Sequence, residues 1–313
     1  MPTPPIPSNP SLQPPGPAAL RVAAVQMVFA GSIPANLARI EKAAIRAARR
    51  GADAILFPEC ATTGYAFDFG TLTPAVLDPA LQALSALAGR LRVNLLVGSP
   101  VFRGPRLHNA LLVFDRTGRL VHTYAKCQLT PSDRRWFTPG EDISRFDLDG
   151  VPAGAFICHE RRYPELARIP VMAGARILFH PNAGMDSLAV SRRKRGGRDG
   201  IAVRAFENAV FYVFANSVGP QGGGRWSAGD SKIVHPDGRV LRLAGHQDEA
   251  VLVADLDLAA ATGKYALESL QHPRWLALHW RRLLPGLLRR ARRHDAGYTR
   301  RFPGVDGAGA PRA

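Results

Sequence analysis

Short, nearly unbroken apolar runs alternate along this chain with longer stretches whose apolar positions recur at helical spacing. LRVAAVQM (Leu20 to Met27) reads as a first buried strand. PANLARIEKAAIRAARRG follows it, alanine-rich and ended by Gly51, so a helix with a glycine stop. ADAILFP is a second strand, a loop runs from Pro58 to Thr73, DPALQALSALAGRL is a second helix and VNLLVGSPV a third strand. The texture then changes to short paired strands. HNALLVFD and RLVHTYAK flank a turn at Arg116 to Gly118, and SRFDLDGVPAGAFIC carries Asp149-Gly150, a strong two-residue hairpin signal. ERRYPELARIPVMAG reads as a helix with Pro164 in its first turns. Strand ARILFHP, helix DGIAVRAFENA, strand VFYVFANS, a hairpin around Pro236-Asp237-Gly238 and a last strand, EAVLVADLDL, complete the pattern. Strands alternating with helices and interrupted by hairpins predict an α/β fold with layered, mixed sheets.

Composition adds boundaries. MPTPPIPSNPSLQPPGPAA, residues 1–19, has neither a basic start nor an apolar core and reads as a disordered proline-rich leader. Residues 20–263 read as one catalytic domain, and residues 264–313 as a basic tail, interrupted by Pro285 and available for a dimer contact. No apolar run approaches the roughly 20 residues that span a bilayer. Three cysteines in no metal-like spacing, without a secretion signal, point to a reducing cytoplasm, and no metal site is expected. Cys60 and Cys127 are expected to be buried fillers facing away from their polar neighbours. The net charge of +16 is concentrated in SRRKRGGR (Ser191 to Arg198), read as a loop, and in the tail. It raises a non-enzymatic alternative, a basic adaptor for nucleic acid or acidic lipid. No aromatic-interleaved basic motif supports a specific nucleic-acid partner.

Three of the apolar runs end on a reactive side chain: Glu59 in AILFPEC, Lys126 in VHTYAKCQL and Cys158 in AGAFICHERRYPE. Singly, each is more often a filler or a solvated surface group. Together they supply a nucleophile, a proton carrier and a fixed cation, the set that attack on an amide carbon requires. A strand-to-helix junction at Cys158 is expected to expose the sulfur and to favour its thiolate through helix N–H groups. Lys126 and the N–H of His159 are placed to stabilise an oxyanion.

The segments FPE (Phe57 to Glu59), YAK (Tyr124 to Lys126) and CHERRYPE (Cys158 to Glu165) resemble the three signature regions of the nitrilase superfamily, the carbon–nitrogen hydrolases. DRRWFTPG, RAFEN and DSKIVHPDG add secondary matches, and the resemblance runs from about Leu20 to Leu258. It implies a four-layer α-β-β-α sandwich, members that commonly dimerise, and no cofactor. Carried over by position, it makes Glu59 the general base, Lys126 the oxyanion lysine and Cys158 the nucleophile. Asp133 falls where many members have a second glutamate, as a possible auxiliary acid. Gln128 stands where the family often has histidine, and Glu160 where it often has aspartate. Nitrile-hydrolysing members usually carry Trp after the nucleophile; His159 here favours an amide or N-carbamoyl substrate. Arg161-Arg162 resembles the arginine pair that holds the substrate carboxylate in N-carbamoyl-amino-acid amidohydrolases, and a guanidinium suits that role. Asn182 is a candidate for the substrate pocket. Nitrile hydrolysis and acyl transfer to an amine are the alternatives for the same triad.

Overall fold

The computed structural model describes residues 17–193 and 200–271, with residues 282 and 285. Its elements run β1 (Ala19–Gln26), α1 (Ile33–Arg49), β2 (Ala54–Leu56), α2 (Pro74–Leu91), β3 (Asn94–Arg103), β4 (Arg106–Phe114), β5 (Leu120–Ala125), β6 (Ser144–Leu148) and β7 (Val151–Ala155). They continue as α3 (Pro164–Met172), β8 (Ile177–Asn182), β9 (Asp186–Ser187), α4 (Leu188–Arg193), α5 (Ile201–Phe206), β10 (Phe211–Asn216), β11 (Val218–Gly222) and β12 (Arg225–Ala228). Last come β13 (Lys232–Val234), β14 (Val240–Leu243), β15 (Ala250–Asp257) and α6 (Lys264–Gln271).

Two six-stranded sheets form, in the orders β15-β1-β2-β3-β4-β5 and β14-β13-β10-β8-β7-β6. Strand periodicity divides their side chains between cores. From β1, Val22 and Ala24 meet the second sheet, together with Phe179 and Val213, while Ala23 and Val25 pack with Ile40 and Leu84 of α1 and α2. From β10, Val213 enters the middle core, and Tyr212 and Phe214 pack with Val171 of α3 and Ala205 of α5. Helix, sheet, sheet, helix is therefore the layer order, the expected sandwich.

Two local signals act as read: Gly51, at φ 76°, follows the C-cap of α1, and the Asp149-Gly150 hairpin has both residues at positive φ, 52° and 81°. Two features differ. The stretch after Ile157 is not one helix: Cys158–Arg162 forms a 3-10 turn, and α3 begins only at Pro164. A three-stranded sheet, β11-β12-β9, lies where the sequence shows only glycine-rich and basic segments. Ala266 of α6 is fully buried in the outer core of the second sheet, so the packed body continues past residue 263. The leader's residues 1–16 and most of the tail lie outside the described residues, as does much of the basic loop. Among the described residues no helix is long and apolar enough to cross a membrane.

Candidate active site

Loops from both sheets meet at one end of the sandwich. Beyond β2 the Phe57 N–H still donates to the Leu96 carbonyl, 2.8 Å, and delivers Pro58 and Glu59 against β3. Gly98 makes that approach possible. A Cβ there would stand 2.3 Å from the Pro58 oxygen and 2.6 Å from the Glu59 Cα. Lys126 directly follows β5, its N–H donating to the Asn109 carbonyl at 2.8 Å and its carbonyl accepting from Gly140 at 2.9 Å. Cys158 follows β7 with φ at +51°, left-handed for a residue with a side chain.

These three residues and Asp133 line one pocket of about 410 Å³. Glu59, Lys126 and Asp133 are almost fully buried, and Lys126 Nζ donates to Glu59 Oε1 at 2.7 Å and to Asp133 Oδ2 at 2.8 Å. Burial pulls the Lys126 pKa down, but the charges of Glu59, Cys158 and Asp133 outweigh it and hold it well above the ordinary lysine value. Asp133 is held below the usual carboxylate range. Burial opposes this, and Lys126 with the Thr130 hydrogen bonds prevails. Shortened by a methylene, Asp133 still reaches the ammonium.

Glu59 is asymmetric. Its Oε1 accepts from Lys126, from the Tyr65 hydroxyl at 2.7 Å and from Asn109 Nδ2 at 2.8 Å. Among the described residues, its Oε2 accepts only the Ala183 N–H, at 3.1 Å. Tyr65 also reaches Asp133, 3.1 Å. Neither Tyr65 nor Asn109 was legible as part of the site. Asn109 had a signal: a polar residue in the apolar run HNALLVFD must find partners once buried.

Cys158 corrects one expectation. Its sulfur is not a ready thiolate at a helix end. Burial, then the Glu59 charge, pushes its pKa up to about 12, against the opposite pull of Lys126 and Arg161. Glu160 of the turn folds back instead, its buried carboxylate accepting from the N–H of the N-cap Ile157 at 2.6 Å and, in the segment after β5, from the N–H of Cys127 at 2.6 Å and of Gln128 at 3.0 Å. Cys60 is buried as expected, but in a turn with φ +49°, and its Sγ contacts Asn109 Oδ1 behind Glu59. Cys127 is half-buried on Tyr124 and Asp142.

The other candidates are placed unequally. His159 lines the pocket, with burial and then Lys126, Arg162 and Arg161 holding its imidazole below the ordinary histidine range. Arg161 turns back to the Cys158 carbonyl, 3.3 Å, while Arg162 is exposed and has no hydrogen bond or ion pair among the described residues. They do not form one symmetric clamp. Asn182 lines the pocket, gives Nδ2 to Asn216 at 2.7 Å, and keeps a buried Oδ1 without a donor among the described residues. Arg135 and Arg225 also line the pocket, neither of them anticipated. No group of three metal-ligating side chains is gathered among the described residues.

A sulfur beside two carboxylates and a buried ammonium, at the strand ends of such a sandwich, is the equipment of a cysteine hydrolase. Residues 21–264 match the carbon-nitrogen hydrolase family, and the chain belongs to it. Its relatives put it in the amidase branch of the nitrilase superfamily. It is 32% identical to an (R)-stereoselective amidase of Pseudomonas sp over 66% of this chain and 73% of that one. It is 28% identical to an omega-amidase of Homo sapiens over 76% of this chain and 88% of that protein. Among solved structures, an amidase from Nesterenkonia sp. AN1 in complex with butyramide superposes with a TM-score of 0.71 at 27% identity, covering 84% of this chain and 99% of that one.

Proposed function

We propose that the protein hydrolyses a small amide through a Cys158 thioester, releasing ammonia. The observation that carries this reading is the Glu59–Lys126–Asp133 cluster set in one pocket with Cys158. With its pKa near 12, the thiol needs a base at the moment of attack. Glu59 Oε2, the oxygen that accepts from the Ala183 N–H, takes the Sγ proton as sulfur adds to the carbonyl carbon. Lys126 and the His159 N–H meet the oxyanion. Collapse breaks the C–N bond, and Glu59 returns the proton to the departing nitrogen. Water then adds to the thioester, giving Glu59 a proton that goes to the leaving sulfur. The balance is amide plus water to carboxylate and ammonium.

The substrate we favour carries a carboxylate. Arg162, Arg135 and Arg225 offer guanidinium groups at the pocket, and a bidentate pair suits that anion. The named omega-amidase and amidase relatives agree with an amide. N-carbamoyl amino acids are the second candidate, nitriles the third. Ammonia release from simple amides, carboxylate-bearing amides, N-carbamoyl amino acids and nitriles tests the ranking. Folded Cys158→Ala is expected to release none, and a Cys158→Ala protein as active as the native one would end the thioester reading.

A further inference from the structure

His180 lies outside this machinery, fully buried in β8, and touches its nucleophile from behind. One ring nitrogen, Nε2, stands 3.1 Å from the Cys158 carbonyl oxygen, and the other, Nδ1, 2.8 Å from the Tyr212 hydroxyl. A carbonyl only accepts, so Nε2 carries the hydrogen and Nδ1 accepts the hydroxyl proton of Tyr212. The ring is boxed by Phe156, at 5.1 Å between centroids, and Phe214, at 4.8 Å. Burial, then Arg161, pulls the imidazole well below the ordinary histidine value, against the hydrogen bond to Cys158, so it stays neutral and keeps one tautomer.

What this donor holds is the unusual part of the backbone. Cys158 has φ +51°, a conformation that a non-glycine residue keeps only when its surroundings impose it. The His180 bond fixes the peptide on the C-terminal side of that residue, the same peptide whose N–H belongs to His159. Orientation of this one peptide plane sets both the sulfur's direction and the oxyanion donor. Arg161 adds a second contact to the same oxygen, but from a partly exposed side chain on the turn itself. His180 comes from another strand, and β8 is paired to β7 and β10 in the sheet.

We propose that His180, oriented by Tyr212, is a positioning residue that locks the Cys158 backbone in its left-handed conformation, as a neutral hydrogen-bond donor and not as an acid or base. This rests on the reading of Cys158 as the nucleophile. His180→Phe keeps a ring and removes the donor; His180→Gln returns an N–H near the Nε2 position. Two rates are followed, amide turnover and alkylation of Cys158 by iodoacetamide, mapped by mass spectrometry. His180→Phe is expected to lower kcat and the alkylation rate by about tenfold or more with KM little changed, a size that misplacing a reacting atom readily produces. His180→Gln is expected to recover most of both. Tyr212→Phe, which deletes a single oxygen and serves if the His180 variants do not fold, is expected to lower both rates several-fold. Native rates in His180→Phe or in Tyr212→Phe, or a His180→Gln as slow as His180→Phe, would overturn the assignment. The alkylation rate decides even if no tested amide turns over, a result that would count against the amidase reading alone.

Discussion

Among the described residues three donors crowd one oxygen of Glu59 and a single N–H holds the other. In the proposed mechanism that division lets one carboxylate both anchor Lys126 and exchange a proton. Its charge also raises the Cys158 pKa, second only to burial, whereas Lys126 lowers it. Removing the Glu59 charge must therefore bring the thiol pKa down. Glu59→Gln is expected to shift the pH dependence of Cys158 modification by a small disulfide reagent to lower pH, while turnover falls by about 10²–10⁴-fold, the usual contribution of a general base. Faster sulfur and slower turnover in one variant would separate nucleophilicity from proton transfer; an unmoved or raised thiol pKa would contradict the proposed coupling. Lys126→Met leaves two buried carboxylates facing each other, and a loss of about 3–5 kcal/mol is expected in urea unfolding.

Glu59 and Lys126 are each delivered past a neighbour that leaves room for them. Gly98 on β3 admits the Glu59 loop, and at Gly140 a Cβ would lie 2.2 Å from the Ala125 oxygen, beside Lys126. Both close contacts are to backbone, which cannot swing aside. Gly98→Ala is expected to cost about 1–3 kcal/mol, as overpacking does, and to depress kcat more than KM because Glu59 moves. Native kcat in a folded Gly98→Ala would show that the loop tolerates displacement. Elements of this kind were readable from the chain where burial is one-sided or complete: β1, β8 and β10 are apolar runs, and Asp149-Gly150 announces its hairpin. The strand ends carrying Glu59, Lys126 and Cys158 followed from those runs. The 3-10 turn after Cys158 did not, because it depends on Glu160 reaching across to the N–H groups of Cys127 and Gln128, far along the chain. Nor did β9, β11 and β12, which are short, rich in glycine and polar residues, and paired only with each other. Tyr65 likewise reaches Glu59 and Asp133 only through a loop that tertiary contacts shape.

The whole molecule carries a net charge of +16, and several of its arginines line the pocket. Inside, Lys126 is balanced by Glu59 and Asp133, and Arg161 is turned back to the Cys158 carbonyl. Around it stand Arg135, Arg162 and Arg225, with Asp186 as a nearby acid. A positive field of this extent should draw in a carboxylate-bearing amide and leave a neutral one to ordinary diffusion. Salt separates the two, since the screening length falls from about 30 Å at 0.01 M to about 3 Å at 1 M. Between those limits, kcat/KM for the anionic substrate is expected to fall several-fold with kcat unchanged, and that for a neutral amide of equal length to change little. Arg162→Gln, at an exposed position without an ion pair among the described residues, is expected to flatten the salt slope and raise KM for the anionic substrate only. Parallel slopes for both substrates would mean that the arginines do not act on the substrate's charge, and the carboxylate would leave the proposal while amide hydrolysis stayed.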